Sequence, residues 1–205
     1  MRVVAILLAA GSATRFGSDK LLHALPHDVP IAIQAARHLK AVFERDVYVV
    51  VRPDAKVLAD LFRSEGCEVV VCEHAAEGMG ASLACGIRAA DAADAADAAG
   101  ASGPADAYLV ALADMPFIRP SSIAAVRDEL LKGASLAVPY FRARRGHPVG
   151  MSSKFRDQLV CLRGDEGAKQ LLAEHASEIV KVPVGDPAVL RDIDTPGDLA
   201  PPLVV

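Results

Sequence analysis

Short apolar runs of mainly Val, Leu, Ile and Ala alternate with helical patterns along the chain, and this predicts an α/β fold on a mostly parallel sheet covered on both faces. Two further observations agree with that class. The 205 residues suit one substantial α/β domain, spanning 1–205, and are few for two. Hydrophobic residues make up 52% of the chain but aromatics only 4%, without Trp, so the core must be built from Ala, Val, Leu and Ile.

The elements follow in order. Strands are predicted over Val3–Leu8, Val47–Val51, 68–72, Ala107–Leu112 and 135–139, because each run is short, apolar and bounded by Gly, Pro or Asp. Helical periodicity falls between them, over 30–43, 55–64, 81–90 and 121–132. The stretch 89–101 repeats Ala-Ala-Asp; a period of three walks the aspartates around a helix, so it reads as a solvated helix end and linker. After Pro139 the chain turns basic and turn-rich over 140–150, which predicts a hairpin or loop excursion from the sheet. Helices are expected near 154–162 and 167–175. The tail Asp192-Ile193-Asp194-Thr195-Pro196-Gly197-Asp198-Leu199 reads as a strand end feeding a helix with Pro in its first turn.

Composition excludes several classes. A formal charge of -4 argues against a general nucleic-acid binder, which needs a basic face. Cys67, Cys72, Cys85 and Cys161 form no CxxC pair and have no matching histidine spacing, so they read as small buried thiols in a reducing compartment. The apolar run at Val3–Leu8 is too short to span a bilayer and leads into a glycine loop, so a buried strand and a cytoplasmic protein without membrane partners are expected.

The segment after the first strand carries the most information: Leu8-Ala9-Ala10-Gly11-Ser12-Ala13-Thr14-Arg15-Phe16-Gly17-Ser18-Asp19-Lys20. Small residues there let the backbone approach a ligand, and their N–H groups can bind phosphate oxygens. Arg15 and Lys20 add positive charge suited to a triphosphate. Neither a Walker A loop nor GxGxxG fits, since Leu21 stands where a magnesium-binding Ser or Thr belongs. A tight turn is the bland alternative.

Asp114 lies just past the strand Ala107–Leu112, at the carboxyl end where open α/β sheets bind ligands, and a carboxylate there suits Mg²⁺. Asp192 and Asp194 form a second acidic cluster that either completes a metal site or caps the last helix. The run Glu77-Gly78-Met79-Gly80-Ala81-Ser82-Leu83 opens a helix, where Ser82 either contacts a ligand or caps. His147, beside Arg144 and Arg145, is a candidate for binding an anion. The other histidines read as surface or structural.

These motifs, with Arg145-Gly146-His147-Pro148 and Gly164-Asp165-Glu166-Gly167-Ala168, resemble in order those of the MobA-like nucleotidyltransferases, above all the molybdenum cofactor cytidylyltransferase branch. The resemblance implies a single-domain Rossmann-like three-layer sandwich of the nucleotide-diphospho-sugar transferase kind. It implies a nucleotide on Leu8, Ala9, Ala10, Gly11, Ser12 and Ser82, phosphates on Arg15 and Lys20, and Mg²⁺ on Asp114 with Asp194. It also implies an acceptor near Arg145, His147 and Asp165. Leu-Ala-Ala-Gly resembles the cytidylyl enzymes, whereas guanylyl enzymes tend to carry Leu-Ala-Gly-Gly; Ala13 departs from a common serine.

The expected reaction is attack of the molybdopterin phosphate on the α-phosphorus of CTP, with Lys20, Arg15 and Asp114 as catalytic residues. GTP, or another phosphorylated acceptor, is the alternative within enzymes. A molybdenum cofactor carrier serving a molybdoenzyme is the alternative of another class, and an NAD(P)-linked oxidoreductase a weaker one.

Overall fold

The computed structural model describes residues 1–11, 20–96, 104–165 and 167–199, the side chains of 93–96 excepted. Among these, eight strands form one mixed sheet: β1 (Val3–Leu8), β2 (Val47–Val51), β3 (Glu68–Val71), β4 (Ala107–Leu112), β5 (Leu136–Phe141), β6 (Arg144–Arg145), β7 (Val149–Ser152) and β8 (Ile179–Pro183). The order runs β3-β2-β1-β4-β7-β5-β6, with β8 also on β5. Strands β3, β2, β1 and β4 are parallel, β7 runs against β4 and β5, and β8 is parallel to β5.

The helices are α1 (Ile31–Phe43), α2 (Lys56–Ser64), α3 (Met79–Ala96), α4 (Pro120–Leu131), α5 (Arg156–Val160) and α6 (Lys169–Glu174). Strand β1 shows why both sheet faces must be covered. Val3, Ala5 and Leu7 join a core with α1, α2 and α4, whereas Val4, Ile6 and Leu8 join one with α3 and α5. At Gly86 on α3 an added Cβ would come within 2.8 Å of Ile6 and Val50 side chains, so glycine lets this helix lie close on the sheet.

Four of the five predicted strands lie where the sequence placed them to within a residue, and β5 runs two residues past its predicted end. The excursion after Pro139 is a hairpin: β5 and β6 are joined by Arg142 and Ala143, both at positive φ, and β7 returns into the sheet. The repeat extends α3 to Ala96, and its remainder lies outside the described residues.

Three expectations are corrected. The Asp192–Asp194 segment is irregular backbone, followed by a single 3-10 turn at Pro196–Leu199 rather than a helix. The late strand is instead β8, an edge strand whose mixed Ile179-Val180-Lys181-Val182-Pro183 pattern gave no clean signal. Cys161 is exposed, unlike Cys67 and Cys72; all four cysteines are free thiols.

Candidate active site

The order β3-β2-β1-β4 places a change of winding direction between β1 and β4, and the carboxyl ends of these strands open onto a cleft of about 630 Å³. Leu8 and Leu112 are directly paired, and Ala113 N–H donates to the Leu8 carbonyl at 3.0 Å. The chains leaving β1 and β4 therefore emerge side by side, one carrying the small-residue loop and the other Asp114. The tail completes the site, since Ile193 N–H donates to the Asp114 carbonyl at 2.9 Å. Asp198 stiffens this segment by accepting from Thr195 N–H at 2.9 Å and Thr195 Oγ1 at 2.7 Å.

Carboxylate oxygens of Asp114, Asp192 and Asp194 lie within 4.8 Å of one another. Lys20 sits against them, donating from Nζ to Asp114 Oδ2 at 3.0 Å and to Asp194 Oδ1 at 3.4 Å. Its side chain is only 11% exposed and that of Asp114 25%. Burial penalises the Lys20 ammonium, but Asp114 and Asp194 outweigh it and hold its pKa above the ordinary lysine value. Burial raises the Asp114 carboxyl above its usual range; Lys20 opposes the rise and Asp192 adds to it.

Asp114 Oδ1 is buried and accepts no hydrogen bond. A buried carboxylate oxygen without a donor is costly, and hard oxygens in this number suit a divalent cation. The acidic group fits such an ion, with Asp114 its half-buried member and Asp192 and Asp194 its exposed ones.

The cleft is lined by Leu8, Ala10, Gly11, Lys20, Ser82, Asp114, Asp165 and Asp194 among the residues expected from sequence. Ala9 is buried in the opposite core. Ser12 and Arg15 lie outside the described residues. Ser82 does not cap α3: it sits inside the helix and its Oγ donates to the Gly78 carbonyl at 3.3 Å. Gly78, at φ 114°, lies so close to the loop 164–165 that an added Cβ would fall 2.6 Å from Asp165 Oδ1. Glycine is thus what seats Asp165 against the mouth of α3.

Arg145 and His147 are not among the residues lining this cleft. Arg145 is exposed on β6, while the His147 N–H donates to the Val189 carbonyl at 2.8 Å. Burial, aided by Arg145 and opposed by Asp192, pushes the His147 imidazole down to about 4. Its ring is therefore neutral at pH 7 and is not a cation for an anionic ligand.

Sequence reasoning missed Arg52 and Asp54, which line the cleft beyond β2. Their position just past an apolar strand was the available signal. It also missed Asp186, whose Oδ2 accepts from Arg119 N–H at 2.9 Å and Ser122 Oγ at 2.8 Å. That cap of α4 comes from a residue remote in sequence, where no local pattern announces it.

The class defined here is an α/β protein with a switch-point cleft, whose small-residue backbone, buried lysine and clustered carboxylates suit phosphates and a divalent cation. The chain belongs to the MobA-like NTP transferase domain family, which matches residues 5–179. It is 28% identical to the purine catabolism protein PucB of Bacillus subtilis (strain 168), over 95% of this chain and 92% of that protein. Rv0371c of Mycobacterium tuberculosis H37Rv superposes with TM-score 0.79 at 22% identity, over 96% of this chain and 94% of the other. Its complex with manganese gives 0.73 at 20% identity, over 97% and 96%. A cytidylyltransferase of Leptospira borgpetersenii gives 0.74 at 16% identity, over 97% of this chain and 83% of that one. Among the described residues no helix is long and apolar enough to cross a membrane.

Proposed function

We propose that this protein is a Mg²⁺-dependent cytidylyltransferase that moves CMP from CTP to the terminal phosphate of molybdopterin and releases pyrophosphate. The observation that carries the reading is Lys20 braced between Asp114 and Asp194 in the switch-point cleft. A pure cofactor carrier has no use for a metal-triphosphate site, which favours catalysis over the carrier reading.

An acceptor phosphate oxygen attacks the α-phosphorus in line. The bond to the bridging oxygen breaks, and pyrophosphate leaves with the electron pair. Both reactants are anions, so positioning and charge neutralisation supply the rate, and no protein nucleophile is needed. The acceptor phosphate is already ionised and needs no general base.

Gly11 and its neighbours present backbone N–H groups to the triphosphate, and Lys20, released from the carboxylates, follows the charge developing on the leaving group. Arg15 shares that role. Asp114 and Asp194 would hold Mg²⁺, with Asp192 beside them, and the ion would supply charge neutralisation across the phosphates. Asp165, seated against the mouth of α3 in the cleft, and Arg145, exposed on β6, are the proposed contacts of the acceptor. His147 acts there by packing, since its neutral ring adds no charge.

The manganese complex of Rv0371c and the Leptospira cytidylyltransferase support a divalent ion and CTP respectively. PucB is named for purine catabolism, and carried over, that name would make a purine-processing molybdoenzyme the consumer of the product. A cytoplasmic location accompanies this reading.

Thermal unfolding with Mg²⁺ and each of CTP, GTP, ATP, UTP and NADPH tests it, because a ligand that binds only the folded state raises stability. Stabilisation by CTP, lost in Asp114→Ala, is expected. Stabilisation by GTP alone would move the protein to guanylyl transfer, and by NADPH alone would end the transferase reading.

A further inference from the structure

We propose that Arg52 and Asp54 read the base of the nucleotide and together select cytosine. The inference rests on the nucleotidyl-transfer reading above and deepens it.

Strand order fixes where the base must lie. The small-residue loop follows β1, the acidic group follows β4 on one side, and Arg52 follows β2 on the other. The end of β2 is tied to the loop, since Ala9 N–H donates to the Val50 carbonyl at 2.9 Å. A triphosphate anchored at Lys20 and Asp114 therefore extends its nucleoside away from β4, toward Arg52 and the mouth of α3. Arg52, Asp54, Gly78, Met79 and Ser82 line that half of the cleft.

Arg52 has spare donors there. Its Nε donates to Asp54 Oδ1 at 3.2 Å, and among the described residues its two terminal nitrogens make no hydrogen bond. Its side chain is 31% exposed against 76% for Asp54, so the guanidinium is the inner member of the pair. A guanidinium beside a carboxylate presents a row of two donors and then an acceptor. Cytosine presents the complement, with O2 and N3 accepting and the N4 amino group donating. Arg52 donates to O2 and N3, and Asp54 accepts from N4.

Uracil sets its N3–H against the guanidinium donors and O4 against the carboxylate. Guanine offers two donors and then an acceptor on its pairing edge, and on its other edge O6 and N7 leave Asp54 facing no donor. Adenine has one acceptor beside its amino group. Mismatched donors and unpaired groups reject these bases as strongly as the matched set retains cytosine.

Calorimetric titration with CTP, UTP, GTP, ATP and inorganic tripolyphosphate, each with Mg²⁺, tests the assignment on wild type, Arg52→Ala, Arg52→Lys and Asp54→Ala. Wild type is expected to prefer CTP. Arg52→Ala should weaken CTP by about tenfold or more while moving UTP and tripolyphosphate by less than about threefold. Arg52→Lys keeps the charge but not the fork, and should lose the preference for CTP similarly. Asp54→Ala should narrow the gap between CTP and UTP. Equal losses for every nucleotide and tripolyphosphate would make Arg52 a phosphate contact and overturn the inference, as would an unchanged CTP preference in either Arg52 variant. Wild type binding no triphosphate would instead remove the nucleotidyl-transfer reading itself.

Discussion

Replacing Lys20 with methionine should strengthen metal binding to the nucleotide-free protein while weakening triphosphate binding. Lys20 Nζ lies 3.0 Å from Asp114 Oδ2 and 3.4 Å from Asp194 Oδ1, so it already neutralises the carboxylates that an ion would use. An ion held by those oxygens would have the ammonium about 4 Å away. A double and a single positive charge at that separation repel by about 2 kcal/mol even at the dielectric constant of water. Methionine is similar in length and uncharged, so Mn²⁺ affinity should rise by roughly 30-fold at low ionic strength. Without the ion, the variant leaves three carboxylates facing one another, so its unfolding temperature should fall and recover when Mn²⁺ is added. Electron paramagnetic resonance of free Mn²⁺ during titration measures the affinity directly, and calorimetry with CTP supplies the opposite arm. Unchanged or weaker Mn²⁺ binding in Lys20→Met would refute the electrostatic argument.

Asp114→Asn should cut pyrophosphate release by roughly 100-fold or more, because it removes charge where the transferred phosphates are handled; a coupled phosphate assay reads this. Gly78→Ala should lower stability by about 1–3 kcal/mol in denaturant unfolding, since φ is 114° and the new Cβ meets the loop 164–165. The His147 imidazole, pushed down to about 4 by burial with help from Arg145, gives a signed pH dependence. The unfolded chain binds a proton near pH 6.5 that the folded protein refuses, so this contribution is intact above that pH. It is lost as pH falls, reaching about 3 kcal/mol near pH 4. His147→Gln should flatten the loss of stability over that interval in chemical denaturation, and an unchanged slope would place the acid sensitivity elsewhere.

The fold was legible where burial left a pattern. β1, β2 and β4 are apolar throughout because both their faces are covered, and their bounds could be read directly. β8 was not legible, since at the sheet edge Lys181 and Pro183 interrupt any alternation. The site was legible where a motif marks it: Asp114 lies just past β4, and Lys20 and Asp194, from two other motifs, both meet it there. The sequence left Asp192 and Asp194 either beside Asp114 or capping a last helix; they lie beside Asp114, held by the hydrogen bond from Ile193 N–H rather than by a strand. Asp165 reaches the cleft through the contact of its loop with Gly78, a tertiary approach that no local pattern reports. His147 shows the converse, since a basic neighbourhood in sequence says nothing about a ring that the fold buries.

Transfer of label from CTP carrying a marked α-phosphorus, incubated with Mg²⁺, molybdopterin and the protein, tests the central claim most directly. The account predicts label on molybdopterin, one pyrophosphate released for each transfer, and neither product with Asp114→Asn. Intact CTP after prolonged incubation, or label passing to molybdopterin equally well in Asp114→Asn, would contradict it.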